Sequence, residues 1–309
     1  MKWCLYIAFW GSTWAVFGQQ LTHYTQQPFN QVLVNPAFAG NAACAEMKSV
    51  HRSQWVGIDD APKSTALAIT GRLGKPAKDK LSVFHGFALK FENDRFGPFQ
   101  HNRFHAAYAI HLPFKNEHFL SFGTYFGVDN ITFDNSNLNP LYSDPAVQNS
   151  RFSFMAPDFV FGTKYNTKRV FFALALQNFA PLNYPIGIDS KKVFHANFSS
   201  GAQFDLGKSD WTFSPMINVR MALRTPMALD FYSIFTYRQD IYVGAGFRNQ
   251  ESLMFLMRFK VLGRFKVGYS FDWILNSLRG GMGHTHEISL SISACKERKK
   301  GATICPVFE

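Results

Sequence analysis

The stretch that decides the fold runs from Phe265 to Trp273 and reads FKVGYSFDW. Bulky apolar residues at every second position alternate with smaller or polar ones, such as Lys266 and Asp272. Strict alternation over this length is typical of a β-strand that has one apolar and one polar face. The length is also close to the roughly 9–11 residues of a tilted strand that crosses a bilayer.

The same period of two recurs along the whole chain, for example at 87–92, 103–110, 213–220, 252–259 and 287–292. A soluble β-sandwich has similar alternation, but these long runs with bulky side chains favour spanning strands. We therefore predict an all-β fold, a transmembrane antiparallel β-barrel of about 14 strands. The predicted strands are about 45–55, 64–73, 84–93, 103–111, 117–127, 158–166, 169–178, 193–206, 211–222, 227–237, 241–249, 252–262, 264–273 and 284–294.

The connections between the strands predict the orientation of this barrel. Those after even-numbered strands are short: 166–169, 207–210, 238–240 and 262–263. Long ones follow odd-numbered strands: 128–157, 179–192 and 274–283. Short periplasmic turns and longer surface loops are typical of outer-membrane barrels, and an even strand count leaves both termini in the periplasm. The turns predict a basic periplasmic rim, with Lys75, Lys78, Lys80, Lys115, Lys168, Lys208 and Arg264.

The composition agrees with a membrane barrel. The chain contains 34 Phe and is 17% aromatic, and lipid-facing strands and interfacial girdles favour aromatic rings. Beyond the N-terminal segment no apolar run reaches the roughly 18 residues of a spanning helix. A net charge of +11 would suggest nucleic acid in a cytosolic protein, but basic turns explain it better in an exported one.

The N-terminus predicts export. Lys2 is followed by an apolar stretch to Phe17, which is typical of a secretory signal peptide, and we predict cleavage after Gly18. Residues 1–18 would be the signal peptide, and Cys4 would be removed with it. The remaining cysteines are Cys44, Cys295 and Cys305, an odd and sparse set. A Cys295–Cys305 bridge and unpaired thiols are both compatible with the sequence.

Two segments flank the predicted barrel at 45–294. Residues 19–44 are not strand-like and predict a periplasmic lid or a plug in the lumen. Residues 295–309 form a short periplasmic tail, which is either a solvated run beside the membrane or a dock for an acidic partner. The basic residues of the tail are Lys296, Arg298, Lys299 and Lys300.

The second face of the strands is polar and carries both signs of charge. Such a face would line the lumen, and mixed charges predict a network that braces the interior rather than a pore selective for one sign. The residues are Glu46, Lys48, Arg52, Lys90, Glu92, Arg103, Arg220, Asp230, Arg248, Arg258, Lys266, Asp272 and Glu287.

Three motifs occur in order around the first predicted strand. Asn35-Pro36-Ala37-Phe38-Ala39-Gly40 precedes it, Arg52-Ser53-Gln54-Trp55-Val56-Gly57 ends it, and Ala61-Pro62-Lys63 opens the next strand. Together with Cys305, Pro306 and Phe308 of the tail, they resemble the PorP/SprF family of Bacteroidetes. The resemblance implies an outer-membrane barrel of the type IX secretion system, which also serves gliding motility. It implies partners among periplasmic ring lipoproteins, a peptidoglycan-binding lipoprotein and surface cargo with a C-terminal signal.

The motif residues also have simpler structural interpretations. Trp55 could anchor the aromatic belt, and Pro62 could stiffen a turn. Alternatively the two motifs could form a packed surface block, or the Asn35–Gly40 segment could fill the lumen.

We expect no enzyme activity, metal or cofactor. His284 and His286 share a strand face, but a metal site needs three or four converging ligands. Ser and His residues are scattered, without a nucleophile beside a base. The leading hypothesis is a scaffold for secretion. A substrate-specific porin or lipid transporter and a soluble secreted β-protein are the alternatives.

Overall fold

The computed structural model describes residues 22–42, 44–73, 82–134, 136, 151–179, 192–223, 225–249, 251–275 and 283–294. The predicted signal peptide and the whole tail, including Cys305, Pro306 and Phe308, lie outside the described residues. Fifteen strands follow one another along the chain: β1 Glu46–Ser53, β2 Lys63–Leu73, β3 Phe84–Phe96, β4 Phe99–Phe114, β5 His118–Asp134, β6 Arg151–Asn166, β7 Val170–Gln177, β8 His195–Ala202, β9 Phe204–Asp205, β10 Trp211–Ala222, β11 Ala228–Tyr237, β12 Ile241–Arg248, β13 Ser252–Val261, β14 Phe265–Ile274 and β15 Thr285–Ser293.

The strands form one closed antiparallel barrel. Each strand pairs with its neighbours in sequence, β1 pairs with β15, and the pairing of β10 with β11 completes the ring. The two residues of β9 continue β8 along the edge of β10. Counting β8 and β9 as one strand, the barrel has 14 strands. The predicted fold is therefore confirmed. No helix among the described residues is long and apolar enough to cross a bilayer.

We call the end at which β1 begins and β15 ends the turn side, and the opposite end the loop side. Alternation separates the two faces of each strand. On β13, Phe255 and Met257 are exposed, whereas Met254 and Leu256, which alternate with them, are buried. Because a lipid-facing surface must be apolar, the abundant phenylalanines cover the outside of the barrel.

The barrel wall has unequal heights. Strands β3 to β6 have 13 to 17 residues, whereas β7, β8 and β12 have 8 each. The predicted 128–157 loop is wrong in its bounds, because β5 continues to Asp134 and β6 begins at Arg151. The added pairs place four phenylalanines opposite one another on adjacent strands, which stabilises the extension: Phe96, Phe99, Phe133 and Phe152.

Cys44 is the one cysteine among the described residues, and it is disulfide-bonded. Neither predicted arrangement, a Cys295–Cys305 bridge or unpaired thiols, gave Cys44 a partner. Its partner therefore lies outside the described part of the chain.

Candidate functional site

The lumen is occupied by the segment that precedes β1. We call residues 22–41 the plug, because every residue in it from Tyr24 to Leu33 and from Asn35 to Asn41 is buried inside the barrel. Thr25 lies beside Arg52 near the loop-side end of β1, whereas Gly40 lies beside Arg72 near the turn-side end of β2. The plug thus runs the length of the lumen and enters β1 at the turn side.

This course bears on the predicted position of the termini. Thr22 accepts a hydrogen bond from Nη1 of Arg103 at 3.3 Å, in the loop-side half of the wall. Ser293, the last residue of β15, lies at the turn side. Thr22 and Ser293 therefore lie towards opposite ends of the barrel, and the two termini themselves lie outside the described residues.

The local sequence explains the plug's shape. Three short 3-10 turns follow one another: Gln27–Phe29, Gln31–Leu33 and Pro36–Phe38. Pro28 and Pro36 stand near the start of their turns, where a missing N–H costs little. The Asn35 side chain caps the third turn by accepting a hydrogen bond from the Ala37 N–H at 2.9 Å. Gly40, at φ +68°, then turns the chain towards β1.

Glycines in the wall let the Asn-Pro-Ala-Phe-Ala-Gly motif approach the strands. A Cβ atom at Gly86 would lie 2.0 Å from the carbonyl oxygen of Ala39, and one at Gly123 would lie 2.5 Å from the Pro36 backbone. At Gly162 it would lie 2.1 Å from Oδ1 of Asn35. These distances are too short for any side chain in the wall. At Gly86 and Gly123 the wall and the motif meet backbone against backbone, and at Gly162 the wall backbone meets the Asn35 side chain.

Side chains of the wall bind the plug's backbone carbonyls. Tyr125 donates to Val32 O at 2.6 Å, and Nζ of Lys90 donates to Leu33 O at 3.1 Å. Nε2 of His111 contacts Ala39 O at 2.8 Å. Short 3-10 turns leave carbonyls without backbone partners, and a buried carbonyl without a partner is costly. The inward polar residues therefore provide hydrogen-bond partners for the plug's carbonyls as well as for one another.

Phe38 and Asn35 complete the turn-side half of the site. The Phe38 ring meets Phe171 edge-on with centroids 5.9 Å apart, and Nζ of Lys164 lies 4.7 Å from its centre. Nδ2 of Asn35 donates to the carbonyls of Thr163 and Leu174, at 3.3 and 3.1 Å. The motif is thus fixed to β6 and β7 at this depth.

The loop-side half is held by charge. Arg52 contacts Asp272 at 2.9 Å and Glu287 at 3.3 Å, and also donates to Oγ1 of Thr25 at 2.7 Å. Both carboxylates bind the plug as well. Asp272 accepts from Oγ1 of Thr25 at 2.8 Å, and Glu287 accepts from the backbone N–H groups of Thr25 and Gln26, each at 2.8 Å. This cluster joins three strands to the plug and has almost no exposed surface.

A second charged cluster surrounds His23. Its Nε2 lies 3.7 Å from Oε1 of Glu251, which contacts Arg248 at 3.4 Å, and Arg248 in turn binds Asp230 at 2.9 Å. Burial, together with the charge of Arg248, lowers the pKa of His23 to about 4. Burial alone would raise the pKa of Glu251, but Arg248 holds it below its ordinary value. At neutral pH His23 is therefore uncharged beside an ionised carboxylate.

A third cluster lies along β3 to β6. Arg103 contacts Glu92 at 2.6 Å and Asp129 at 3.3 Å, while His105 and Lys192 bind Asp158 at 2.9 and 2.7 Å. With the two clusters above, it confirms the predicted network of mixed charges inside the barrel.

The second and third motifs lie apart from the first. Residues 54–62 form the β1–β2 loop, in which Gln54 N donates to Pro62 O at 2.9 Å and Lys63 opens β2. Trp55 and Gly57 both have positive φ, 50° and 103°. Trp55 N donates to Oγ1 of Thr285 at 3.2 Å, so this loop fastens β1 to β15. The structure thus joins the Arg52 side chain to the plug but places the rest of that motif outside it.

Other residues of the site were not singled out from the sequence. Thr25 and Gln26 carry the loop-side contacts, and Gly86, Gly123 and Gly162 carry the turn-side ones. The glycines did offer a signal, because each occupies an inward position of its strand. Among the described residues no group of three or more His, Cys, Asp or Glu could hold a metal ion.

Comparison with known proteins adds a family. A family model described as type IX secretion system membrane protein PorP/SprF matches residues 16–292. No curated protein matches the chain significantly by sequence. The fold is similar to the Acinetobacter baumannii outer membrane protein Omp33, at 8% identity and a TM-score of 0.46, over 82% of this chain and 99% of that one. It is also similar to a Pseudomonas aeruginosa FadL homologue, at 10% identity and a TM-score of 0.49, over 86% and 93%.

Proposed function

Because this chain belongs to the PorP/SprF family of type IX secretion system membrane proteins, we propose that it is a non-enzymatic scaffold in the outer membrane. On the turn side it would engage the periplasmic ring lipoproteins and a peptidoglycan-binding lipoprotein. On the loop side it would support export or surface attachment of cargo that carries a C-terminal secretion signal. This orientation follows from its short turns and longer loops.

The observation that carries this proposal is the filled lumen. The plug occupies the barrel along its length and is bound at both ends, by the Arg52 cluster and by the glycines around Gly40. A substrate-specific porin or lipid transporter needs a path through the barrel, and a buried segment with this many polar partners is costly to displace. The described contacts therefore favour an anchoring role over transport.

The turn side offers a charged but partly neutralised surface. Lys168 contacts Glu117 at 3.3 Å, Arg238 contacts Asp210 at 2.6 Å, and Lys260 contacts Asp240 at 3.0 Å, all on the surface. Three further cations of the turns are exposed and form no ion pair with a described residue: Lys115, Lys208 and Arg264. These three are the cations we assign to an acidic face of a periplasmic partner.

The loop side offers the raised wall of β3 to β6. Its inner face carries a row of half-buried rings, with Phe96 and Phe99 centred 5.5 Å apart and Phe99 and Phe133 centred 5.0 Å apart. Aromatic residues are enriched in protein interfaces. Surface cargo is the occupant that we propose for this wall.

Affinity purification from native membranes tests the scaffold. Wild-type protein should retain secretion lipoproteins, and the charge reversals K115E/K208E/R264E should reduce their yield at least tenfold. R151E, an exposed cation at the loop side, is the matched control and should leave the yield unchanged. Absence of any secretion component from the wild-type sample would refute the proposal.

Liposome swelling separates the scaffold from the porin or transporter. The purified wild-type barrel should admit small sugars no faster than protein-free liposomes. Solute flux well above that background would instead support the transport alternative.

A further inference from the structure

The seam between β1 and β15 closes the barrel, and its register continues past both strands. Glu46 pairs with Ser293 at the turn side, and the backbone N–H of Ala294 donates to Ala45 O at 2.9 Å. Cys44 directly precedes Ala45 in the chain, and Cys295 directly follows Ala294. We propose that Cys44 and Cys295 form a disulfide across this seam.

The state of Cys44 limits its possible partners. Cys44 is disulfide-bonded, and the other cysteines of the chain are Cys4, Cys295 and Cys305. Cys4 belongs to the predicted signal peptide, which leaves Cys295 and Cys305. Cys295 directly follows Ala294, which already pairs with the residue next to Cys44. Cys305 is ten residues further along the chain, and no described residue brings it to this point.

The pleat of the two strands also favours this pair. Glu46 and Lys48 on β1 and Ser291 and Ser293 on β15 line the same small opening at the turn side of the lumen. Because alternate residues of a strand share a face, the proposed disulfide requires these two inward rows to continue to positions 44 and 295.

The distance between the backbones is suitable as well. Ala45 and Ala294 form a hydrogen-bonded pair. In a regular antiparallel ladder such a pair is followed by a non-hydrogen-bonded pair, with Cα atoms about 4.5 Å apart. A disulfide spans Cα separations of about 4.4–6.8 Å.

The reaction balances with an ordinary oxidant of the periplasm. Each thiol loses one proton and one electron. The thiolate of one cysteine attacks the disulfide of a protein thiol oxidase, and the second thiolate displaces the oxidase from the mixed disulfide. The barrel gains its S–S bond, and the oxidase leaves as a dithiol carrying both electrons.

The bond would act on both the ring and the plug. It joins the first strand to the last, so the closed barrel no longer depends on hydrogen bonds alone at the turn side. Cys44 also follows the plug's last residue, Asn41, by three positions, so the same bond fixes the point at which the plug leaves the lumen. Because the bond closes most of the chain into one loop, it strongly restricts the unfolded state.

Peptide mapping without reduction tests the pairing directly on the full-length protein from native membranes. Trypsin separates the three candidate cysteines, because it cuts after Lys48, Arg279 and Lys296 and at the basic run that ends at Lys300. The expected product is one disulfide-linked pair, the peptide that ends at Lys48 with peptide 280–296. A link from either of these peptides to 301–309, or free thiols at 44 and 295, would overturn the proposal.

Variants test what the bond does. C44S and C295S should each lower the thermal unfolding temperature by about 5–15 °C, and the double variant should lower it no further. C305S is the matched control and should leave the temperature unchanged. Additive losses from C44S and C295S would contradict a shared bond, and the peptide map decides the pairing even if a variant does not fold.

Discussion

Arg52 is the residue on which the loop-side contacts of the plug converge. Its guanidinium contacts Asp272, Glu287 and Thr25, and all of these groups are buried. Removing one partner of a buried ion cluster is far more destabilising than replacing the whole cluster by neutral groups. The contribution of Arg52 to stability therefore depends on the two carboxylates that face it.

We predict that R52M lowers the free energy of unfolding by about 3–5 kcal/mol, because it leaves Asp272 and Glu287 buried without their main cation. The triple variant R52M/D272N/E287Q should recover a large part of this loss. Urea unfolding of the barrel in liposomes measures both. Equal losses in the single and the triple variant would contradict the account.

His23 gives the plug a dependence on pH. Its pKa falls from 6.5 to about 4 on folding, so the unfolded chain binds a proton between these values that the folded protein does not. Stability is therefore fully present above pH 6.5 and is lost as the pH falls towards 4, by up to about 3 kcal/mol from this group.

H23Q should remove this contribution, because glutamine stays neutral at every pH. We expect the difference in unfolding free energy between pH 7 and pH 4.5 to be smaller in H23Q than in the wild type by about 2–3 kcal/mol. Urea titrations at the two pH values measure it. An unchanged difference would mean that folding does not lower the pKa of His23.

At the scale of whole elements, the plug packs directly against the backbone of the strands. One added methyl group at such a contact should separate the two. G86A places a Cβ atom on the backbone of Ala39, so we expect the motif segment to move away from β3. Hydrogen exchange at residues 35–41 should become at least tenfold faster. G71A is the matched control: its Cβ would meet the ring of Phe87 at 3.1 Å and could be accommodated. Unchanged exchange in G86A would show that the plug is not held by this fit.

The alternation of apolar and polar residues predicted the strands only within the bilayer, where the lipid requires an apolar outer face. Within the bilayer the outer face is apolar, as at Phe104 and Phe126. Above it the pattern inverts, because the inner positions carry Phe99 and Phe133 while the outer ones carry Gln100 and Thr132. A rule based on one apolar face therefore began β4 too late and ended β5 too early. The inversion itself marks the height at which the wall leaves the lipid.

The sequence indicated that residues 19–44 could fill the lumen, but it did not predict the course of the plug through the barrel. Proline and asparagine in residues 28–35 indicated turns, and Gly40 indicated a close backbone approach. Which wall residues they meet depends on the register of three strands that are distant from the plug in sequence, as with Gly86, Gly123 and Gly162. The charges were foreseen on the lumen face, but Thr25 and Gln26 gave no sign that they would bind Glu287.

At the scale of the whole molecule, the plug makes the barrel asymmetric across the membrane. Thr22 lies beside Arg103 in the loop-side half, and Ser293, the last residue of β15, lies at the turn side. With short turns in the periplasm, we predict that a tag placed just before Thr22 is accessible from the cell surface. Both the scaffold function and the orientation of the plug depend on this arrangement.

Epitope tags decide the point. A tag inserted between Gln20 and Leu21 should bind antibody on intact cells, whereas a tag after Glu309 should bind only after the outer membrane is permeabilised. A tag in the β1–β2 loop, after Asp59, is the control for surface exposure, since this loop lies on the loop side. If the first tag required permeabilisation while the loop tag did not, the plug would have to enter the lumen from the periplasm and turn back within it.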